Sequence, residues 1–246
     1  MRVHLAGLSL LKNNSELLKK CRFMLESFYS VKEWQIPYLT QAEGFLLDSG
    51  AFTFMQAGKT GINFDDYIEK YARFVNEYDI KHFFELDIES VVGWEEYKRL
   101  AQKLKQLTHK TPIPVFHNSR GREWFLNELD YCDYIAYGGI VGAKHTQEFI
   151  NVSEYLINEA HKKNCMVHGL GFTSTTMFKQ LHYDSVDSTT WTMGGRMGNL
   201  CYVAADGTMK QWYPSLHGKK PTDTSKINFY NFEQWCKFQD YAFTHY

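Results

Sequence analysis

"DYIAYGG" at residues 133–139, "TQEFINVSEYLINEAHKK" at 146–163 and "CMVHGLG" at 165–171 form the stretch on which the fold turns. The outer pieces are short apolar runs, each closed by glycine. The middle piece spaces its apolar residues at helical intervals. Strand, helix and strand in this order make a βαβ unit, whose two strands run parallel.

The same alternation extends in both directions. Upstream, "RVHLAGL" (2–8) reads as a strand, "SELLKKCRFMLESFY" (15–29) as a helix and "GFLLDSGAF" (44–52) as a strand. "NFDDYIEKYARFVNEY" (63–78) has an N-cap asparagine and an acidic first turn, so it predicts a helix. Strands follow at "KHFFELD" (81–87) and "IPVFHN" (113–118), with helices at "GWEEYKRLAQKLKQL" (93–107) and "REWFLNEL" (122–129). Downstream, "STTMFKQLH" (174–182) reads as a helix and "YDSVDS" (183–188) as the seventh strand. An eighth strand is expected from "LCYVAAD" or "MKQWYP", around the turn Asp206-Gly207. "INFYNFEQWCKFQDYAFTHY" (227–246) reads as a closing helix. The pattern predicts an α/β, TIM-type (β/α)8 barrel in one domain over 1–246, irregular at the eighth strand. A C-terminal hairpin and closing helix would occupy about 200–246. A doubly wound open sheet is the main structural alternative.

Composition narrows the function. The 246 residues suffice for one large domain with a full core. A net charge of −1, from 27 basic and 28 acidic side chains, argues against holding nucleic acid by bulk charge and leaves room for a local basic patch. It also leaves affinity to come from elsewhere, so a protein partner or a second copy of the chain is expected. The five cysteines are scattered and form no CxxC, which speaks against a disulfide framework or cysteine zinc site and fits a reducing cytoplasm. No run of about 18 apolar residues exists, so no membrane span is expected. The opening residues read as a first strand rather than a signal peptide.

In an α/β barrel the chemistry sits at the C-terminal ends of the strands. Those ends carry Asp48, Asp87, His117, Gly138-Gly139, His168-Gly169 and Asp187. Each alone has an ordinary reading: an aspartate caps the next helix, a glycine pair makes a turn, a histidine is a satisfied polar residue. Three aspartates, each at the end of an apolar run, point instead to one shared pocket. His4, His82, His117 and His168 lie near strand ends, yet the first strand has "VHL" and no HxH pair, so no metal is expected. A P-loop, a GxGxxG fingerprint and a GxSxG elbow are all absent from the sequence, and no cofactor is expected.

The residues at these ends resemble the tRNA-guanine transglycosylases. "DSGAF" (48–52) resembles their Asp-Ser-Gly-Gly-Phe motif, and "FELDIES" (84–90) their strand ending in a substrate-reading aspartate. "YGGIVG" (137–142) resembles their Gly-Gly-Leu segment, and "VHGLG" (167–171) their Met-Gly-Val-Gly strand. "DSVDSTTWTMGGR" (184–196) resembles their Asp-Cys-Val-Leu-Pro-Thr-Arg-x-Gly-Arg block, with Asp187 on the nucleophile and Arg196 on the final arginine. The order agrees across 44–198. The chain departs from the family in lacking its Cys-x-Cys-x2-Cys zinc module and in being shorter. His117 stands where the family carries a glutamine, His168 where it carries a methionine, and Met193 replaces the block's first arginine. In these respects it looks more like the phage-type deazapurine DNA-modification transglycosylases, enzymes that would act in a host cytoplasm.

That resemblance implies exchange of guanine for a 7-deazaguanine, in DNA rather than tRNA. Retention of configuration needs two displacements, so Asp187 would be the nucleophile and Asp48 the general acid/base. Asp87 would read the base by accepting from its N1–H and exocyclic amine. Ser49, Phe52, His117, Gly138, Gly139, Ile140, His168 and Gly169 would complete the base pocket, with Phe52 stacking on the base and His168 on its other face or nearby. Arg196, Arg120 and Arg122, with Lys144, Lys219 and Lys220, would meet the backbone. A duplex base would have to be flipped out. Other readings of the same aspartates are action on tRNA, a barrel N-glycoside hydrolase and a catalytically silent base-binding relative.

Overall fold

The computed structural model describes residues 1–51, 62–139, 146–213 and 224–246. Eight parallel strands form one curled sheet: β1 Arg2–Leu5, β2 Phe23–Ser27, β3 Gly44–Asp48, β4 His82–Phe83, β5 Val115–Phe116, β6 Tyr134–Tyr137, β7 Met166–Gly169 and β8 Ser185–Ser188. The strand order is β4-β3-β2-β1-β8-β7-β6-β5. The first and last strands of this sheet in chain order therefore lie side by side, with His4 opposite Asp187. The outer members of the order, β4 and β5, meet through a single parallel bridge between Phe84 and Ile113. The sheet is a TIM-type barrel whose irregular closure lies at this seam.

Three sequence expectations fail here. Residues 15–29 are not one helix: a 3-10 stretch over Leu8–Lys20 gives way to β2. Phe23, Met24 and Leu25 are all buried, because a parallel strand is covered on both faces and reads as an unbroken apolar run. That run continues the spacing of the segment before it, and periodicity alone cannot separate the two. Consequently the eighth barrel strand does not come from residues 200–212, and Asp187 sits on the eighth strand, not the seventh. β9 Leu200–Val203 and β10 Met209–Trp212 form a separate antiparallel hairpin. The helix expected at 174–182 is only a short turn, Thr175–Met177. The remaining helices form near their expected bounds, at Phe64–Glu77, Trp94–Thr108, Gly121–Glu128, Gln147–Lys162 and Thr224–His245. Asn63 caps the first of them by accepting the Asp66 N–H at 3.2 Å.

Alternation along each strand divides the core. Leu25, Leu46, Phe84, Val115, Tyr134 and Ala136 cluster inside the ring. Val3, Leu5, Ile135, Val167 and Val186 face outward toward the helices. Each large apolar side chain fully buried this way contributes about 1.5–3 kcal/mol. The helix Thr224–His245 seals the ring where the β1–β2 ladder opens. Gln239, fully buried, donates from Nε2 to the carbonyls of Val3 and Phe23, each at 2.6 Å. Asn231 ties the same helix to the hairpin, accepting the Cys201 N–H at 2.7 Å and donating to Asn199 O at 2.9 Å. Among the described residues no helix is long and apolar enough to cross a membrane.

Candidate active site

The C-terminal ends of the strands bring together Asp48 from β3, Asp187 from β8, Asp87 just beyond β4, His117 just beyond β5 and the Gly138-Gly139 pair beyond β6. Asp48 is positioned by the turn that follows it. Its Oδ2 accepts the Gly50 N–H at 3.0 Å. Gly50 has φ 82°, and a Cβ there would lie 2.6 Å from Tyr29 Cβ, so only glycine makes this turn. Burial pushes the Asp48 carboxyl up to about 6, and the negative charges of Asp187 and Asp87 add to the shift against the Gly50 hydrogen bond. Asp48 and Asp187 therefore feel each other across one site.

Asp187 is held at one oxygen. Oδ1 accepts the Gly171 N–H at 2.5 Å and lies 3.3 Å from His168 Nε2. No described residue bonds Oδ2, and the side chain keeps 14% of its surface exposed. Asp184, three residues earlier, faces a different task. It precedes β8, accepts the Val167 N–H at 2.7 Å and lies 2.9 Å from His161 Nε2, bracing the strand rather than entering the pocket.

A second cluster surrounds Arg120. Its guanidinium donates to Glu85 Oε1 at 3.0 Å, Asp87 Oδ1 at 3.1 Å and Glu89 Oε2 at 2.9 Å. The rings of Tyr97 and Trp124 lie 4.6 and 4.7 Å from its central carbon. Glu85 also accepts from Tyr97 Oη at 2.7 Å and the Val115 N–H at 2.9 Å. Burial pushes Glu85 up to about 7, with the Arg120 charge opposing it. Asp87 Oδ2 meets His117 Nε2 at 2.5 Å. This contact raises the imidazole above its ordinary range, against a smaller desolvation effect. A Cβ on Gly138 would lie 2.6 Å from His117 Cε1, so the absence of a side chain there admits the imidazole.

The sequence expected Arg120 at a phosphate backbone. Its side chain is 2% exposed and its donors are spent on three carboxylates, so it organises the site from within. Asp87, Glu89 and His117 offer one donor atom each within 4.8 Å of one another, the grouping a divalent cation needs. Arg120 already bonds both acids of that set and so acts as its cation. Sequence reasoning missed Glu85, Glu89 and Tyr97. The cue was the three acids of "FELDIES", which lie beyond β4, with Glu89 opening a helical turn, and converge on Arg120 only in the fold.

Other expected residues fall as follows. His168 is fully buried beneath Asp187, beside Ser185 in the ladder, and does not stack on a base at the mouth. Gly169 faces outward against Phe172 and Tyr183, away from the pocket. Ser49 is buried, and its carbonyl accepts from Tyr67 Oη at 2.7 Å. Arg122 is exposed, its guanidinium 4.6 Å from the Tyr155 ring. Phe52, Ile140, Lys144, Lys219, Lys220 and the side chain of Arg196 lie outside the described residues. A cavity of about 440 Å³ opens at the far end of the barrel, where Lys81, His82, Thr111 and Asp133 precede or begin strands. Asp48, Asp87 and Asp187 do not line it.

No family model and no curated protein matches the chain. Solved structures do. An enolase protein from environmental genome shotgun sequencing of the Sargasso Sea is 8% identical over 76% of this chain and 54% of that one, with a TM-score of 0.44. The carboxyl transferase domain of pyruvate carboxylase from Rhizobium etli, with 3-bromopyruvate, is 13% identical over 98% of this chain and 48% of that one, with a TM-score of 0.50. The chain spans about half the length of these structures. At 13% identity the likeness to the carboxyl transferase domain is one of fold alone, and it agrees with the parallel α/β barrel described above.

Proposed function

We propose that the protein is a nucleic-acid guanine transglycosylase, exchanging guanine for a 7-deazaguanine, in DNA rather than tRNA. The reading is carried by one arrangement: Asp48, whose carboxyl burial pushes up to about 6, shares a site with Asp187, whose Oδ1 accepts the Gly171 N–H while no described residue bonds Oδ2. Base exchange with retention needs this division of labour.

In the first displacement Asp187 Oδ2 attacks C1′ while the C1′–N bond breaks, and the proton of Asp48 goes to the departing guanine. The sugar is then esterified to Asp187 and Asp48 is ionised. In the second, Asp48 takes a proton from the incoming base, whose nitrogen attacks C1′ and releases the Asp187 carboxylate. The carboxylate charge also steadies the oxocarbenium-like transition states. Asp87 reads the base: each of its oxygens keeps a second lone pair beyond the contacts to His117 and Arg120. Arg122, which is exposed, would meet a phosphate. A target base in a duplex must leave the stack to reach the mouth.

The test is incubation with labelled guanine and, separately, duplex DNA, single-stranded DNA and tRNA. Uptake of label into DNA is expected. Uptake only by tRNA moves the substrate, release of free sugar without uptake makes the protein a hydrolase, and no turnover with any polymer overturns the reading.

A further inference from the structure

Beneath Asp187 the barrel interior holds a run of polar side chains. Tyr134, on β6, and Ser185, on β8, are buried, and the tyrosine hydroxyl bonds Ser185 Oγ. Ser185 Oγ lies 2.5 Å from Nδ1 of His168, which is fully buried on β7. The opposite nitrogen, Nε2, lies 3.3 Å from Asp187 Oδ1. The ring is wedged by apolar and aromatic neighbours, with Phe84 at 5.4 Å and His4 at 6.0 Å between centroids.

The chemistry of the partners sets the direction of the chain. An ionised carboxylate only accepts, so the hydrogen facing Asp187 belongs to Nε2. In the neutral imidazole Nδ1 is then an acceptor, and the Ser185 hydroxyl donates to it. The serine oxygen in turn accepts from the Tyr134 hydroxyl. One orientation satisfies every member, running from Tyr134 through Ser185 and His168 to Asp187. Both donors that reach Asp187, from His168 and Gly171, end on Oδ1. The carboxylate cannot spin, and Oδ2 is left as the oxygen for chemistry.

We propose that His168 is a positioning residue for base exchange: Tyr134 and Ser185 fix its Nε2–H form, and that hydrogen pins Asp187 Oδ1 so that Oδ2 faces the sugar. The role in exchange rests on the transglycosylase reading; the pinning does not. His168 touches no substrate, being sealed below the aspartate. It acts as an outer partner does behind a metal ligand, setting the tautomer and aim of the group in front of it.

Two measurements test this. Histidine labelled with nitrogen-15 reads the tautomer directly: the wild type shows His168 protonated at Nε2, and Ser185→Ala disturbs that signal. A His168 protonated at Nδ1 overturns the proposal whether or not the protein exchanges bases. Kinetically, His168→Gln keeps a side-chain N–H toward Asp187 and His168→Leu does not. Leu is expected to lower kcat by about 100-fold and Gln by about 10-fold, with KM for the polymer changed less than about threefold. Equal kcat in the two variants, or a loss confined to KM, overturns the positioning role. Should either variant unfold, Tyr134→Phe leaves the imidazole in place and is expected to lower kcat by about threefold through the freed tautomer; no change in both kcat and the nitrogen-15 signal counts against the chain. Absence of exchange in the wild type defeats the transglycosylase reading, while the tautomer decides the pin on its own.

Discussion

Nε2 of His117 lies 2.5 Å from Oδ2 of Asp87, and the two residues come from neighbouring strand ends across the seam where the ring barely closes. The carboxylate favours the charged imidazole, so His117 titrates above its ordinary value of 6.5. Asp87→Asn should bring the His117 titration down, read by proton NMR of its ring. The contact stabilises the fold at low pH and fades as pH rises through the raised folded value. Unchanged titration in the variant would show that the pair is not formed.

Asp187→Asn should abolish exchange, by about 1,000-fold or more, and prevent trapping of a covalent adduct with the polymer. The amide keeps an acceptor oxygen for Gly171 and His168, so the thermal midpoint should hold. Undiminished exchange in this variant would remove Asp187 as nucleophile.

Arg120→Met should cost about 3–5 kcal/mol, because Glu85, Asp87 and Glu89 lose their shared cation in a largely buried site. For a chain of this size the thermal midpoint falls by about 10 °C. Arg122→Ala, at an exposed position, should leave the midpoint unmoved and weaken polymer binding with a shallower salt dependence. A surface-like response of Arg120, with no change in the midpoint, would contradict its placement.

Asp48 binds its proton more tightly folded, at about 6, than at its ordinary 3.8. Between these values the folded state holds more protons than the unfolded one, so stability falls as pH rises, by roughly 3 kcal/mol for a shift of this size. Asp48→Asn removes that dependence. Urea unfolding from pH 4 to 7 should give a flatter curve for the variant, with its advantage growing toward neutrality. Parallel curves would refute the raised Asp48 carboxyl. Exchange should decline in the wild type as Asp48 ionises, and Asp48→Asn should lose the first displacement.

Gly50→Ala should destabilise by about 2 kcal/mol or more, since alanine meets both the positive φ and the Tyr29 contact. The turn would release its N–H from Asp48, so exchange should fall further than stability explains. Differential scanning of unfolding beside the exchange assay separates the two.

Much of this was legible in the sequence, and the failures have physical causes. Seven strand ends were found because a buried parallel strand bounded by glycine or aspartate is a distinctive run. Phe23–Ser27 escaped because its apolar residues continued a helical spacing, and it displaced the count of every later strand. Asp48 and Asp187 lie on β3 and β8 on the side that alternation from Leu46 and Ser185 gives them, while Asp87 lies beyond the two-residue β4, where strand alternation does not reach. Depth was not legible. His168 and Asp187 both point inward, yet only the ladder register puts the histidine beneath the aspartate. Arg120 was misplaced for a related reason: an arginine at a helix start reads as surface unless the acids at 85, 87 and 89 are seen converging on it.

Gln239 has a further meaning for how the chain is made. Its amide closes the gap between Val3 and Phe23 from more than 200 positions downstream. During synthesis from the N-terminus, β1 waits for β8 as its second neighbour and for this glutamine as the clasp on its first. The earliest strands emerge from the ribosome long before their last contacts exist. Long-range closure of this kind slows folding in general, and here the last contacts of β1 and β2 form only once the final helix has been made.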